Sequence, residues 1–424
     1  MGRLRKIIQG IVMFVIAGGA CITLNAQKMS SSKILEEMNL ANSYFVNSQK
    51  LNSGGVTDFI RGNTWRRSFY YEGLSAYYSV SHDSASLASM LNWGNAYSWG
   101  MPGGVSTREP RDQCCGQTYT DMYLLDRYKE ERIDDTRVCI ETMLSSGGND
   151  YWKTTDDLQM AMPLFAGLGK VYDDDRYFDR MNEMYEYTKS QLGGSGLYSE
   201  DDHLWYRDTT FLPPYKEPNG GKCFWSRGNG WVIAALVRSA DRMPNNSYRR
   251  SFLKTLKEMI ETIVPLQRPD GFWNVSLKDP DHFGGKETTG TALFVYGLAW
   301  AINNGEIKGK EYLPVVEKAW NALVDEALHA DGSIGYVQGD GSGPGDGQPV
   351  TEKAGNDFSD VALGCFLLAG SEVYKIAKSS EPREKKPKEP KNNKKHGQMN
   401  LQRGPGGRGH RGSGGGYPGH LPGR

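Results

Sequence analysis

The chain has 424 residues, with 50 Lys and Arg against 50 Asp and Glu, so its formal charge is zero. The balance is uneven: residues 378–424 hold 12 Lys or Arg against 3 Glu, and residues 27–377 carry about −12. An acidic body excludes a nucleic-acid-binding core and gives no long-range pull on an anionic substrate, so any grip on an anion has to be local. Residues 1–26 read as a secretory leader, with Arg3, Arg5 and Lys6 ahead of an apolar stretch from Ile11 to Ile22 and a small residue, Ala26, at the end. That stretch is short and glycine-broken for a transmembrane span. Export is the expectation, to the periplasm first of all. A lipid-modified Cys21 is the alternative, for which Gly18 is a poor neighbour.

Helical periodicity dominates the body. It predicts helices over 33–48, 68–81, 86–97, 115–129, 134–144, 156–171, 175–191, 228–242, 247–265, 289–304, 310–328 and 358–377. Long polar and aromatic loops separate them at 50–67, 98–114, 145–155, 192–227, 267–288 and 329–357. A short connection alternates with a long one, six times over. The arrangement this describes is all-α: six helical hairpins closed into an (α/α)6 barrel over residues 27–377, with the long loops at one mouth. Residues 192–227 hold a candidate β-hairpin, Gly196-Leu197-Tyr198 against His203-Leu204-Trp205-Tyr206. Residues 378–424 form a Lys-, Pro- and Gly-rich tail with too few aliphatic residues to bury a core. The five cysteines after the leader (Cys114, Cys115, Cys139, Cys223 and Cys365) are odd in number and match no disulfide framework or metal-ligand spacing. Buried free thiols are expected. No metal or nucleotide motif is present, and no cofactor is expected. Nothing in the sequence fixes the oligomeric state.

One heptapeptide stands out: Trp225-Ser226-Arg227-Gly228-Asn229-Gly230-Trp231, just ahead of an apolar helix. Tryptophans offer platforms to sugar rings, arginine grips carboxylates through paired hydrogen bonds, and glycines let a backbone come close to a ligand. The same residues also suit a helix start with two core tryptophans. Trp65 and several other aromatics fall at or in the long loops, where they would line a carbohydrate cleft or simply be buried. Two aspartates begin helices that should open at the same mouth: Asp112, ahead of Cys114-Cys115-Gly116-Gln117, and Asp156, in Thr154-Thr155-Asp156-Asp157-Leu158-Gln159. Each suits a helix cap. Each also suits acid–base work on a glycosidic substrate, which needs one carboxyl to give a proton and one to assist water. His282 and Glu287 form a further polar cluster that reads as a turn followed by a cap.

Taken together these segments resemble glycoside hydrolase family 105, the unsaturated rhamnogalacturonyl hydrolases, and more distantly family 88. The likeness runs over residues 33–377. Besides the tryptophan box it includes Asp270-Gly271-Phe272-Trp273, Glu287-Thr288-Thr289-Gly290-Thr291, Tyr312 to Trp320, and Phe366 to Tyr374. The resemblance implies an (α/α)6 barrel without a metal that removes a terminal 4,5-unsaturated uronic acid from oligosaccharides made by polysaccharide lyases. It implies Asp156 as the catalytic acid, Asp112 as its partner, and Arg227 and Trp225 as substrate-binding positions; Trp65 and Gln117 are further candidates for binding substrate. Where some rhamnogalacturonyl members carry a histidine after a tyrosine, this chain has Tyr206-Arg207-Asp208. Arg207 could take a second anionic group, such as the sulfate of an ulvan fragment, or could pair with Asp208 or Asp202. A pectic rhamnogalacturonan disaccharide is the other substrate considered. An ordinary (α/α)6 glycosidase or lyase and a non-catalytic sugar-binding toroid are the competing functional readings. Two well-placed aspartates argue against the last.

Overall fold

A computed structural model of the chain describes residues 29–52, 61–127, 129–353 and 357–382. The expected leader and the tail beyond 382 lie outside them. The chain divides into two units, Met1–Glu381 and Pro382–Arg424, and the first contains the fold.

Thirteen α-helices are present among the described residues: α1 (Ser31–Asn52), α2 (Trp65–Ser81), α3 (Ser84–Ala96), α4 (Pro110–Gln113), α5 (Cys115–Leu125), α6 (Asp134–Leu144), α7 (Thr155–Tyr172), α8 (Asp175–Ser190), α9 (Ser226–Arg242), α10 (Ser247–Ile263), α11 (Thr288–Asn303), α12 (Gly309–Ala322) and α13 (Ser359–Ser380). Six of them, α2, α5, α7, α9, α11 and α13, each pack on the next, and α13 returns to α2. The result is a closed inner ring. The outer layer is formed by α1, α3, α6, α8, α10 and α12, giving the expected (α/α)6 barrel.

The sequence sorts the two layers by the width of their apolar faces. An inner helix touches its ring neighbours, its outer partner and the axis of the barrel, so it must be apolar nearly all round. In α11 every residue from Thr288 to Ala301 is buried. An outer helix needs only one stripe: α10 buries Phe252, Leu253, Leu256, Met259, Ile260 and Ile263 and turns its lysines and arginines outward. The five cysteines of the body are all free and buried.

Two boundaries differ from the periodicity in ways that matter for the mouth. A one-turn helix, α4, precedes α5, with Pro110 at its start, where a missing N–H costs nothing. Asp112 therefore lies inside a turn rather than capping α5. Likewise α9 begins at Ser226, which places Arg227 and Gly228 in its first turn. The expected hairpin is short: β1 (Tyr198–Ser199) pairs antiparallel with β2 (Leu204–Trp205).

Ring closure depends on a close approach of α2 to α13. A Cβ on Gly73 would fall 2.7 Å from both the Cα and the carbonyl oxygen of Gly364, and a Cβ on Gly364 would meet Phe69 at the same distance. Backbone atoms cannot rotate away as a side chain would, so a methyl group there has to part the helices. Gly73→Ala should cost about 1–3 kcal/mol of stability by urea denaturation. The control, Gly147→Ala, where a new Cβ meets nothing within 4 Å, should stay within about 0.5 kcal/mol.

Candidate active site

The long loops meet at one end of the ring, where the inner helices begin. Three of these helices start in the same way. Thr155 of α7 donates its N–H to the carbonyl of Arg207 at 2.9 Å, Ser226 of α9 donates to Val275 at 2.9 Å, and Thr288 of α11 donates to Tyr336 at 2.8 Å. In each case the acceptor lies in the long loop that follows the next outer helix. The loops thus satisfy helix-end donors that would otherwise lack partners, and the mouth becomes a fixed frame.

Asp156 sits in the first turn of α7 and is 8% exposed. It does not cap the helix. Thr154 does, accepting the Asp157 N–H on Oγ1 at 3.1 Å, while Asp157 Oδ2 accepts the Lys153 N–H at 2.9 Å. Thr154 thus caps the helix, and the Asp157 side chain reaches back past it to the residue before the cap. This leaves the Asp156 carboxylate for other work. Its Oδ2 accepts from Arg207 Nε at 3.1 Å and from Thr155 Oγ1 at 3.2 Å. Arg207 also donates through Nη1 to Asp208 Oδ2 at 2.7 Å. Burial alone would lower the Arg207 guanidinium, but Asp156 and Asp208 reverse this and hold it above its ordinary value. The Asp157 carboxyl is pushed up to about 6, chiefly by burial, with the Asp156 charge adding to the effect.

Asp112, half-buried in α4, accepts from Thr107 Oγ1 at 2.8 Å. The backbone at Gly103 presses against it so closely that a Cβ there would lie 2.2 Å from Asp112 Oδ2. A buried carboxylate joins the elements that carry the two aspartates. Glu72 of α2 is fully buried. Its Oε1 accepts from the Cys114 thiol at 3.3 Å, two residues beyond Asp112, and its Oε2 accepts from Gln159 Nε2 at 2.8 Å, one turn below Asp156.

The tryptophan box occupies the neighbouring helix start. Arg227 is fully buried. It donates through Nη1 to the carbonyl of Gln338 at 2.7 Å and through Nη2 to that of Gly339 at 2.6 Å, and its Nε has no hydrogen-bond partner. Its guanidinium lies 4.7 Å from the Trp225 ring centroid and 4.2 Å from that of Phe358. Trp225 donates through Nε1 to Gln338 Oε1 at 2.8 Å. Arg227 and Trp225 thus hold the 338–347 loop against the mouth. Trp231 packs edge-on against Phe69 in the core. Trp65, at the start of α2, is half-buried against Phe358. Gln117 lies deeper, donating to the carbonyls of Gln159 and Met160 and accepting from Arg238 Nε at 2.9 Å. Glu287 caps α11, accepting from the N–H groups of Thr289 and Gly290, and His282 Nδ1 lies 2.9 Å from Asp279. Among the described residues no group of three or more His, Cys, Asp and Glu is placed to hold a metal ion.

Sequence reading passed over three contributors. Glu72 had a visible signal, a lone charge within the aromatic run Phe69-Tyr70-Tyr71 and ahead of Gly73. Gln338 and Thr107 had none, because each lies in a polar loop and acts through a partner more than thirty residues away, or through a turn of irregular backbone.

Comparison with known proteins matches this geometry to a family. The profile of Glycosyl Hydrolase Family 88 matches residues 38–377. The chain is 33% identical over 335 residues to an unsaturated 3S-rhamnoglycuronyl hydrolase of Formosa agariphila, covering 74% of this chain and 84% of that one. Among solved structures, a family 88 glycosyl hydrolase from Bacteroides vulgatus superimposes with a TM-score of 0.74 at 30% identity, covering 82% of this chain and all of the other. A protein described as a polysaccharide lyase gives the same TM-score and identity, covering 83% of this chain and 99% of its own. With its ring of six helical hairpins and its carboxylates gathered at one mouth, the chain belongs to Glycosyl Hydrolase Family 88 and is a glycoside hydrolase.

Proposed function

We propose that the enzyme is exo-acting and removes a terminal 4,5-unsaturated uronic acid from lyase-generated, rhamnose-containing oligosaccharides, with 3-sulfated rhamnose of the ulvan type as the favoured aglycone. The observation that carries the reading is the buried Asp156 carboxylate, relieved of capping duty by Thr154 and Asp157 and set against Arg207 at the mouth. The name of the Formosa relative supports the substrate class.

Such a substrate already contains a vinyl ether, C4=C5 next to the ring oxygen. Asp156, as the carboxylic acid, gives its proton to C4. Positive charge then develops at C5 and the ring oxygen. Water adds at C5 and returns a proton to the Asp156 carboxylate, forming a hemiketal. The hemiketal opens by breaking the bond between C5 and the ring oxygen. C5 becomes a ketone, the old ring oxygen becomes a hydroxyl on C1, and C1 expels the aglycone to leave an aldehyde. One water is consumed, and one acid serves in both directions. Asp112 is the second carboxylate in this reading, with the role of steadying the developing positive charge. Because attack falls on C5 rather than C1, the link between carboxylate spacing and anomeric stereochemistry does not apply.

Arg207 is our candidate for reading the sulfate. Two of its donors are used, on Asp156 and Asp208, and no hydrogen bond of its Nη2 is found among the described residues. A planar guanidinium with donors to spare suits an oxyanion. The leader-like start of the sequence supports action after export, in the periplasm.

Unsaturated uronates absorb in the ultraviolet, and hydration removes that absorbance. Wild-type enzyme should abolish it on lyase-digested ulvan, whereas a rise in absorbance would identify a lyase. Asp156→Asn should lower the rate by about 10²–10⁴-fold with the fold intact by circular dichroism; full activity would remove Asp156 from the mechanism. Specificity is tested separately, on matched disaccharides with and without sulfate and on the pectic rhamnogalacturonan disaccharide. Arg207→Gln should lower the kcat/KM ratio of sulfated over unsulfated substrate by about tenfold. An equal loss on both would show that Arg207 supports Asp156 and reads no sulfate.

A further inference from the structure

Among the described residues, Glu72 is the fully buried carboxylate that bonds to both elements carrying the proposed catalytic pair. On one side it accepts the Cys114 thiol, at the junction of α4 and α5, where Asp112 resides. On the other it accepts Gln159 Nε2, on α7 beneath Asp156. Arg238 Nε of α9 lies 3.5 Å from the same Oε2. The layer then closes on itself. Gln117 of α5 donates to the Gln159 carbonyl at 2.7 Å and accepts from Arg238 at 2.9 Å. Four inner helices are tied together through one polar layer directly below the mouth.

A carboxylate is a costly choice for this position. Burial pushes Glu72 up to about 7; Arg238 and the Cys114 thiol oppose the rise, and Asp121 adds to it. Other charged or titratable groups near it are Arg242 on α9 and Cys365 on α13. For fold alone, an apolar side chain here would avoid that penalty. What the carboxylate provides is two acceptor oxygens set at a fixed spacing, one for each active-site element. Small displacements of reacting groups carry large rate penalties, so a brace of this kind acts on kcat.

We propose that Glu72 is a positioning residue, setting the relative placement of Asp112 and Asp156 through Cys114 and Gln159. The inference rests on the assignment of those two aspartates above. The test uses the full chain and follows ultraviolet loss on a lyase-derived unsaturated disaccharide. Glu72→Met removes both acceptors and should lower kcat about tenfold with KM within about twofold. Glu72→Gln keeps an acceptor for Gln159 and a polar partner for Cys114, and should restore kcat to within about threefold of wild type. A Glu72→Met enzyme with wild-type kcat and only a lowered Tm would overturn the proposal and leave Glu72 as part of the core. Should Glu72→Met fail to fold, Cys114 decides. Cys114→Ala should lower kcat and Cys114→Ser, which keeps a donor, should recover it; wild-type kcat in Cys114→Ala overturns the proposal. Asp112→Asn and Asp156→Asn are assayed alongside. If both remain active, the assignment of the catalytic pair has failed; if both are inactive while Glu72→Met and Cys114→Ala keep wild-type kcat, only the bracing role has failed.

Discussion

Charge buried inside a closed ring of helices has to be matched by charge or by hydrogen bonds from the ring itself, since no water is at hand to solvate it. That constraint organises this protein. Glu72, Gln159, Gln117 and Arg238 satisfy one another across four inner helices. Arg238 lies 3.5 Å from Asp121, which in turn accepts from Arg242 at 2.5 Å. The chain of pairs runs away from the mouth along α5 and α9. These four inner helices are therefore located by polar bonds of fixed length as well as by apolar packing, and the helix starts above this layer inherit that placement. Close backbone contacts such as Gly73 on Gly364 serve the same end from the apolar side.

The loops apply the same rule at the rim. Arg227 is fully buried, yet its charge meets two loop carbonyls and two aromatic faces instead of a carboxylate. Gln338 completes the lock, accepting from Trp225 and donating to the carbonyls of Gly343 and Asp346. Outside it, Arg66 pairs with Asp340 and Asp357. A loop that carries few apolar residues is thus held by hydrogen bonds and ion pairs from arginine, tryptophan and glutamine side chains. The glycines of the box have a packing role here: a Cβ on Gly230 would strike Leu293 at 2.8 Å, so Gly230 lets α9 lie close to α11.

Much of this was legible in the sequence because periodicity reports the apolar face directly. The twelve long helices, their alternating connections and the hairpin near 198–205 follow from patterning, and the two aspartates from their place at helix starts. The motif likeness pointed to the right group of enzymes for the same reason: ordered segments at set spacing reflect ordered inner helices. Pattern could not say which polar residue of a helix start does the capping. Thr154, Asp156 and Asp157 all suit the task, and only the backbone turn decides that Thr154 and Asp157 take it. Nor could it say that the box arginine would turn to loop carbonyls more than a hundred residues later, since such contacts leave no periodic trace. Glu72 lay between these cases. A charge amid aromatic residues announces a buried partner without naming it.

On the proposed function, the cluster at Asp156 is where an acidic body takes hold of an anion. Arg207 stands between Asp156 and Asp208, and Asp157 is close enough to feel both Asp156 and Arg207. With its carboxylates ionised, this group carries more negative charge than positive, so an anion arriving at Arg207 meets net repulsion at short range. A proton taken up by the cluster relieves that repulsion. Linkage between an anion held there and a proton on Asp157, whose carboxyl burial and the Asp156 charge push up to about 6, would be mutual, each strengthening the other by the same factor. A basic patch would attract the anion from farther away, but it would also favour the ionised carboxylate and work against the first step. On the proposed function, a single arginine hemmed in by aspartates is a local grip on an anion inside an acidic body.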